Sequence, residues 1–302
     1  MDLRRTVGTV AASVRPKWTA RARMRPGYLI IGTKRGGSTS LAAWVSQHPQ
    51  TAPCLSNKGT HFFDINYPRG PQWYFSRFEK PRDGWRTTGE ASPYYMYHPA
   101  APERIATTLP EVKLIAVLRD PVERAWSQYR YEVSRGNETE TFERALDLEP
   151  ERLRGERERL LNDPTYPGKP YRHHGYLERG HYAEQLERFF ARFSREQVLL
   201  LGSEQMFADP HSELGRVWDF LGLEQMRLPE LAAYHDLLEK KRSEPSRDSD
   251  YNPERLPSAS RERLLDYYRP LNRQLYELTE LDFGWPDSRP TTKTPSPGDL
   301  PA

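Results

Sequence analysis

Residues 32–40, Gly-Thr-Lys-Arg-Gly-Gly-Ser-Thr-Ser, bring glycines, hydroxyls and two cations into one short segment. Glycine lets the backbone curl around an oxyanion so that several N–H groups point inwards. The helix that follows adds partial positive charge at its N-terminus, and two basic side chains add full charges. The segment therefore predicts a phosphate or sulfate site formed by Lys34, Arg35, Gly36, Gly37, Ser38, Thr39 and Ser40.

A second basic motif occupies Val117–Ser127, where another apolar run leads into another helix signal. Arg119 falls at the carboxyl end of the predicted strand, and Ser127 lies two turns into the predicted helix. Guanidinium binds phosphate through two parallel hydrogen bonds. Arg119 and Ser127 are therefore predicted to take a second phosphate.

Continuous apolar runs, rather than alternating ones, indicate strands that are buried in a parallel sheet. Helix signals follow the runs Tyr28–Ile31 and Val112–Leu118, with Asp120 as N-cap of the second such helix. This alternation predicts an α/β fold whose ligands lie beyond the carboxyl ends of the strands, where both motifs fall. The predicted strands are Tyr28–Ile31, Arg86–Glu90, Val112–Leu118 and Val198–Leu201, and the predicted helices include Thr39–Gln47, Pro121–Arg135 and Ser260–Leu278.

Composition is typical of one large domain, with 302 residues of which 36% are hydrophobic. We expect a basic, flexible arm at 1–27, one domain at 28–285 and a disordered Pro/Ser/Thr-rich tail at 286–302. Cys54 is the single cysteine, which excludes an intrachain disulfide and suits the reducing cytoplasm. The net charge of +3 does not indicate a nucleic-acid partner, whereas the basic arm is compatible with weak contact to an anionic membrane surface.

Taken together, the motifs resemble those of the carbohydrate-type sulfotransferases, including the heparan sulfate enzymes and their bacterial relatives. The segment Lys34–Leu41 resembles the 5′-phosphosulfate loop of that family with one residue more, and Leu118–Tyr129 resembles its 3′-phosphate segment. Further matches include Lys58–Phe63, Gly89–Pro93 and Arg179–Leu186. The resemblance covers about residues 28–285 and implies a single-domain, P-loop-like parallel sheet flanked by helices.

The resemblance also implies a donor, 3′-phosphoadenosine 5′-phosphosulfate, used without a metal. Lys34 would contact the 5′-phosphosulfate and stabilise the bridging oxygen as it leaves, with residues 36–40 around the same group. Arg119 and Ser127 would hold the 3′-phosphate. The family's later basic loop corresponds loosely to a segment in which Arg247 and Tyr251 would cover the nucleotide.

A general base must take the acceptor's proton, and here the sequence departs from its relatives. Many of them have a glutamate two residues before the His-Phe-Phe element, where this chain has Gly59. Three substitutes are available: His61, Glu90 and Asp64. An imidazole suits base work at neutral pH, so His61 is preferred, while Glu90 can instead orient Lys34 or the acceptor.

Two other functions remain open in the sequence. Gly32 and Gly37 have the spacing of a nucleotide P-loop and would suit a kinase or NTPase, although Ser38 stands where the P-loop lysine belongs. Gly59 would suit a donor-binding protein without catalysis. The acceptor, whether saccharide, glycolipid or secondary metabolite, is not encoded in these motifs, and His173-His174, lacking a third ligand, is predicted to be a loop pair rather than a metal site.

Overall fold

The computed structural model describes residues 23–56, 59–229, 231 and 255–286. In this part of the chain five strands form one sheet with the order β2-β3-β1-β4-β5, and every pair of neighbours is parallel. The predicted α/β class and parallel sheet are confirmed. The strands are β1 (Tyr28–Gly32), β2 (Thr51–Ala52), β3 (Thr87–Ala91), β4 (Lys113–Leu118) and β5 (Val198–Gly202).

Helices cover both faces of the sheet, because successive residues of each buried strand point to opposite sides. Leu29 and Ile31 of β1 pack in one apolar cluster, and Ile30 packs in another. The helices are α1 (Ser38–Ser46), α2 (Gly70–Phe75), α3 (Ala101–Thr108), α4 (Pro121–Ser134), α5 (Phe142–Arg152), α6 (Glu156–Asn162), α7 (Lys169–His174), α8 (Tyr182–Phe190), α9 (Ser203–Ala208), α10 (Pro210–Leu221) and α11 (Ser258–Thr279).

The two faces have separate cores. Ile105 of α3 and Leu186 of α8 belong to the cluster that contains Leu29, whereas Leu41 of α1 and Val217 of α10 belong to the other. A third cluster joins α4, α5 and α11 beside the sheet. The second cluster therefore packs α1 on the sheet, and the third packs α4, which follows the second motif, against α5 and α11.

Local signals account for the start of α4. The side chain of Asp120 accepts a hydrogen bond from the backbone N of Val122 at 2.8 Å, and Pro121 occupies the first helical position. The predicted N-cap is therefore confirmed. Because Asp120 follows Arg119 directly, the cap also fixes where that arginine leaves the strand.

Attachment of the chain to the domain begins before β1. The backbone N of Met24 bonds to the carbonyl of Glu79 at 2.8 Å, and that of Gly27 bonds to Thr88 at 2.8 Å. Residues 23–27, which we assigned to the basic arm, are thus anchored to the domain. Among the described residues, no helix combines the length and apolar character needed to cross a bilayer.

The burial of the centre of β1 can be tested by its contribution to the free energy of unfolding. Ile30 is completely buried, so Ile30→Ala is expected to lower the free energy of unfolding by about 2–5 kcal/mol. Leu161→Ala on α6, where the side chain is 52% exposed, serves as control and is expected to change it by less than about 0.5 kcal/mol. Urea denaturation followed by circular dichroism measures both, and equal losses would contradict the position given to Ile30.

Candidate active site

The turn between β1 and α1 lies tightly against its neighbours. Gly36 donates its N–H to the carbonyl of Thr33 at 2.9 Å, and a Cβ at Gly36 would stand 2.5 Å from the carbonyl oxygen of Val117 in β4. Gly37 has φ of 103° and precedes the first residue of α1. Only glycine fits both requirements without displacing the backbone. The turn is therefore held against the strand that leads to the second motif.

Contacts between the two anion motifs are direct. Arg119 donates from its guanidinium to the carbonyl oxygen of Arg35 at 3.3 Å. Arg35 in turn donates from Nε to the hydroxyl oxygen of Ser127 at 3.0 Å. The side chain of Arg119 stays 25% exposed at this edge. The predicted proximity of the two motifs at the carboxyl ends of β1 and β4 is confirmed, and their roles with a ligand stay predictions.

The three hydroxyl residues of the loop differ in exposure. Ser38 and Ser40 are buried, whereas Thr39 is exposed. The first backbone bond of α1 runs from the N–H of Leu41 to the carbonyl of Gly37, so the amides of 38–40 precede it. Backbone donors at this position are those that a helix N-terminus offers to an anion.

Lys34 makes an ion pair that no local sequence pattern indicates. Its Nζ contacts Oε1 of Glu132 on α4 and lies 3.5 Å from the carbonyl oxygen of Arg172. Burial lowers the pKa of Lys34 to about 7, the charge of Arg179 adds to the lowering, and the Glu132 carboxylate opposes it. Lys34 is thus charged below about pH 7 and loses its proton as the pH rises further.

Glu132 is completely buried and has three partners. Besides Lys34, it accepts from Asn137 Nδ2 at 2.7 Å and contacts Nδ1 of His173 at 3.0 Å. Burial by itself raises the pKa of Glu132, but the hydrogen bonds from His173 and Lys34 outweigh it and hold the pKa at about 2. The group is therefore a carboxylate throughout the neutral range.

The prediction that His173 and His174 form a loop pair was wrong. Both residues end α7, and His173 reaches the carboxylate that binds Lys34. Spacing along the chain could not show this, because the contact joins α7 to α4. Within the described residues, no group of three or more metal-ligating side chains is found.

The polar residues on one face of α4 are the sequence pattern that could have pointed to Glu132. Arg124, Gln128 and Glu132 follow one another at four-residue spacing, and all three are completely buried. Arg124 donates to Oε1 of Gln128 at 2.6 Å, and Gln128 donates to the carbonyl of His173 at 3.0 Å. Polar residues at helical spacing inside a buried face need partners, and one partner of Glu132 is Lys34.

His61 has the geometry of an oriented imidazole. Its Nδ1 lies 2.8 Å from Oδ2 of Asp64, and its side chain is 26% exposed. Burial alone lowers the pKa of His61, but the hydrogen bond and charge of Asp64 outweigh it, so the pKa lies above the ordinary 6.5. With Nδ1 engaged, the neutral ring offers Nε2 as the proton acceptor. The charge of Arg172 acts to lower the pKa of both His61 and Lys34.

Glu90 holds the loop that carries His61. Its carboxylate accepts from the backbone N and the hydroxyl of Thr60, both at 2.9 Å, from Ser92 at 2.7 Å and from Tyr95 at 2.6 Å. The contact with Lys34 that we considered for Glu90 is made by Glu132 instead. A base role for Glu90 stays a prediction, and its observed contacts are those of a residue that positions the loop.

Gly59 occupies a place where a side chain does not fit. Its φ is 74°, and an added Cβ would stand 2.1 Å from the carbonyl oxygen of Ala91. The glutamate expected at this position from the resemblance is therefore incompatible with this backbone. Lys58, Arg247 and Tyr251 lie outside the described residues.

Comparison with known proteins identifies the family. The sulfotransferase domain profile matches residues 25–266. The chain belongs to the sulfotransferase domain family. A sulfotransferase of known structure from Alicyclobacillus acidocaldarius is similar to this family member with a TM-score of 0.68 and 28% identity, over 85% of this chain and 97% of that one.

Two human relatives cover much of this sulfotransferase-family chain. Heparan sulfate glucosamine 3-O-sulfotransferase 3B1 is 33% identical over 86% of this chain and 65% of its own length. Heparan sulfate glucosamine 3-O-sulfotransferase 6 is 34% identical over 86% of this chain and 73% of its own length. The chain thus spans slightly less than two thirds of the first relative.

The contacts of Glu90 give a stability prediction. Glu90→Gln replaces an acceptor by an amide group that turns a donor towards Thr60 or Ser92, so the free energy of unfolding is expected to fall by about 1–3 kcal/mol. The control Glu111→Gln changes an exposed carboxylate and is expected to have little effect. Urea denaturation separates the two, and equal values would show that the hydrogen bonds of Glu90 contribute nothing.

Proposed function

We propose that this protein transfers a sulfuryl group from 3′-phosphoadenosine 5′-phosphosulfate to a hydroxyl or amine of a saccharide or glycoconjugate. The observation that carries the proposal is the direct contact between the loop 33–40 and the pair Arg119 and Ser127. Two anion sites joined in this way suit a nucleotide with phosphates at both the 5′ and 3′ positions. Membership of the sulfotransferase domain family supports the same donor.

Each of the two motifs would bind a different phosphate of the donor. The amides of 38–40, with Gly36 and Gly37, would bind the 5′-phosphosulfate, and Lys34 would reach the oxygen that bridges phosphorus and sulfur. Arg119 and Ser127 would bind the 3′-phosphate. Ser127 accepts from Arg35, which supports a role in which Arg35 would contribute charge between the two groups.

The reaction needs in-line positioning and charge stabilisation more than covalent help. His61 Nε2 would accept the acceptor's proton while the acceptor oxygen or nitrogen forms its bond to sulfur. The sulfur–oxygen bond to the donor breaks, and its electron pair stays on the donor's phosphate oxygen. Lys34 would stabilise that developing charge through a hydrogen bond, keeping its own proton.

A saccharide acceptor is supported by the relatives rather than by the aromatic residues. Both human relatives are named for heparan sulfate glucosamine. Phe62, Phe63, Tyr74 and Phe78 are buried in the core beside the sheet, so they do not offer faces to a sugar ring. Contact of the basic arm with an anionic membrane stays a proposal, since residues 1–22 lie outside the described part.

Nucleotide discrimination tests the donor. The protein is expected to bind 3′,5′-ADP more tightly than 5′-AMP, and Arg119→Ala is expected to weaken 3′,5′-ADP binding by about 1.5–3 kcal/mol, roughly ten- to hundredfold, with little effect on 5′-AMP. Arg192→Ala, which removes an arginine paired with Glu103, is the control. Isothermal titration calorimetry measures each affinity, and equal binding of the two nucleotides by the wild type would refute the donor.

The His61–Asp64 contact predicts a pH profile. Since the pKa of His61 lies above 6.5 and a base must be unprotonated, kcat/KM is expected to fall on the acid side of that value. Asp64→Asn removes the charge that raises the pKa, so the acid limb should move to lower pH. Transfer of radiolabelled sulfate to whichever of a panel of desulfated glycans accepts it measures the profile, with thermal unfolding as the check on folding. An unmoved limb would exclude His61 as the base.

A further inference from the structure

We propose that Glu132 is a positioning residue that keeps Lys34 in its ammonium form for contact with the sulfate donor. The inference rests on the proposed function and adds to it a residue that no sequence motif of the donor site contains. It is carried by the contacts around Lys34, which bring one negative and several positive groups to a buried nitrogen.

The carboxylate of Glu132 is oriented from several sides. Oε1 contacts Lys34, and Oε2 faces both Asn137 Nδ2 at 2.7 Å and His173 Nδ1 at 3.0 Å. Because the side chain is completely buried, these partners determine its position and leave it little room to turn. Lys34 therefore meets a fixed negative group and not a solvated one.

Among the described residues, the other charges that act on Lys34, those of Arg179 and Arg172, are positive. Arg179, from the 3₁₀ turn Glu178–Gly180, donates to the carbonyl of Arg172 at 2.9 Å, and Lys34 Nζ lies 3.5 Å from that same oxygen. Arg172 belongs to α7 and carries its own charge, and Arg35 follows Lys34 in the loop. From α4, Tyr131 places its ring 5.5 Å from Lys34 Nζ.

Because these groups are buried, the charges around Lys34 act on it strongly. Lys34 is only 17% exposed and Arg179 is almost completely buried, so water screens their repulsion weakly. Among the groups named around Lys34, Glu132 is the carboxylate that offsets this repulsion. A neutral lysine would stabilise the oxygen that leaves sulfur far less than an ammonium group, so the negative charge of Glu132 favours the form of Lys34 that suits the donor.

The test measures the affinity for 3′,5′-ADP as a function of pH. Binding of this nucleotide does not involve the transfer step, so His61 is not needed as a base. Glu132→Gln keeps the shape and removes the charge. In the wild type the affinity is expected to fall as the pH rises through about 7, where Lys34 loses its proton. In Glu132→Gln the fall should begin about one pH unit lower, a difference of about tenfold in proton affinity. At pH 5.5, where Lys34 is charged in both proteins, binding should be equal or tighter in the variant.

Two further variants separate charge from structure. Glu138→Gln removes another completely buried carboxylate, which pairs with Arg152 and bonds to Tyr176, and should leave the pH dependence unchanged. In a Lys34→Arg background the guanidinium stays charged, so adding Glu132→Gln should produce no shift. Ionisation of the ligand's own phosphates is common to all variants and cancels in the comparison.

The outcomes are distinct. If the wild type binds 3′,5′-ADP no better than 5′-AMP, the proposed function fails first. If it discriminates between them but Glu132→Gln weakens binding by the same factor at every pH, Glu132 has only a structural role and this inference is overturned. Should Glu132→Gln not fold, Glu132→Met fills the same space without charge, and the same displaced pH dependence is expected.

Discussion

The parallel pairing of β1 with β4 decides where the remaining parts of the site can lie. Ile30 is opposite Ile115 in that pairing, and the register shifts before Gly32 meets Ala116. Beyond this point the chain turns so closely over β4 that Gly36 leaves no room for a Cβ beside the carbonyl of Val117. Arg119 and the loop after β1 are neighbours because the strands that end in them are neighbours.

From that pairing, a network of buried polar groups extends outwards. Glu90 on β3 binds Thr60, the residue next to His61, and Glu132 on α4 binds Lys34. The two groups proposed to act in the reaction, His61 and Lys34, are thus each supported by a buried carboxylate. A buried charge is tolerated only when its partners satisfy it, and each carboxylate has at least three hydrogen-bond partners. Groups held in this way lose little freedom when a ligand binds, which favours catalysis by positioning.

Local patterns predicted the sheet and the edge of the site, because those depend on neighbouring residues. The apolar runs of β1 and β4, the cap at Asp120 and the loop at Lys34 all followed from residues close together in the chain. The partners of Lys34 did not, since Glu132, Arg172 and Arg179 come from elements separated by long stretches of sequence. The same holds for Glu90, whose role as holder of the Thr60 turn depends on Ser92 and Tyr95 folding back over it.

Gly59 bears on how such a site can change. Its backbone lies in the left-handed region, against the carbonyl of Ala91, and the next residue but one, His61, also has a positive φ of 48°. A single substitution therefore cannot introduce a glutamate here, because the backbone of the whole turn would have to take another path. Whether in natural divergence or in protein engineering, a glutamate at position 59 must therefore be accompanied by changes in the neighbouring residues that let the turn take that path.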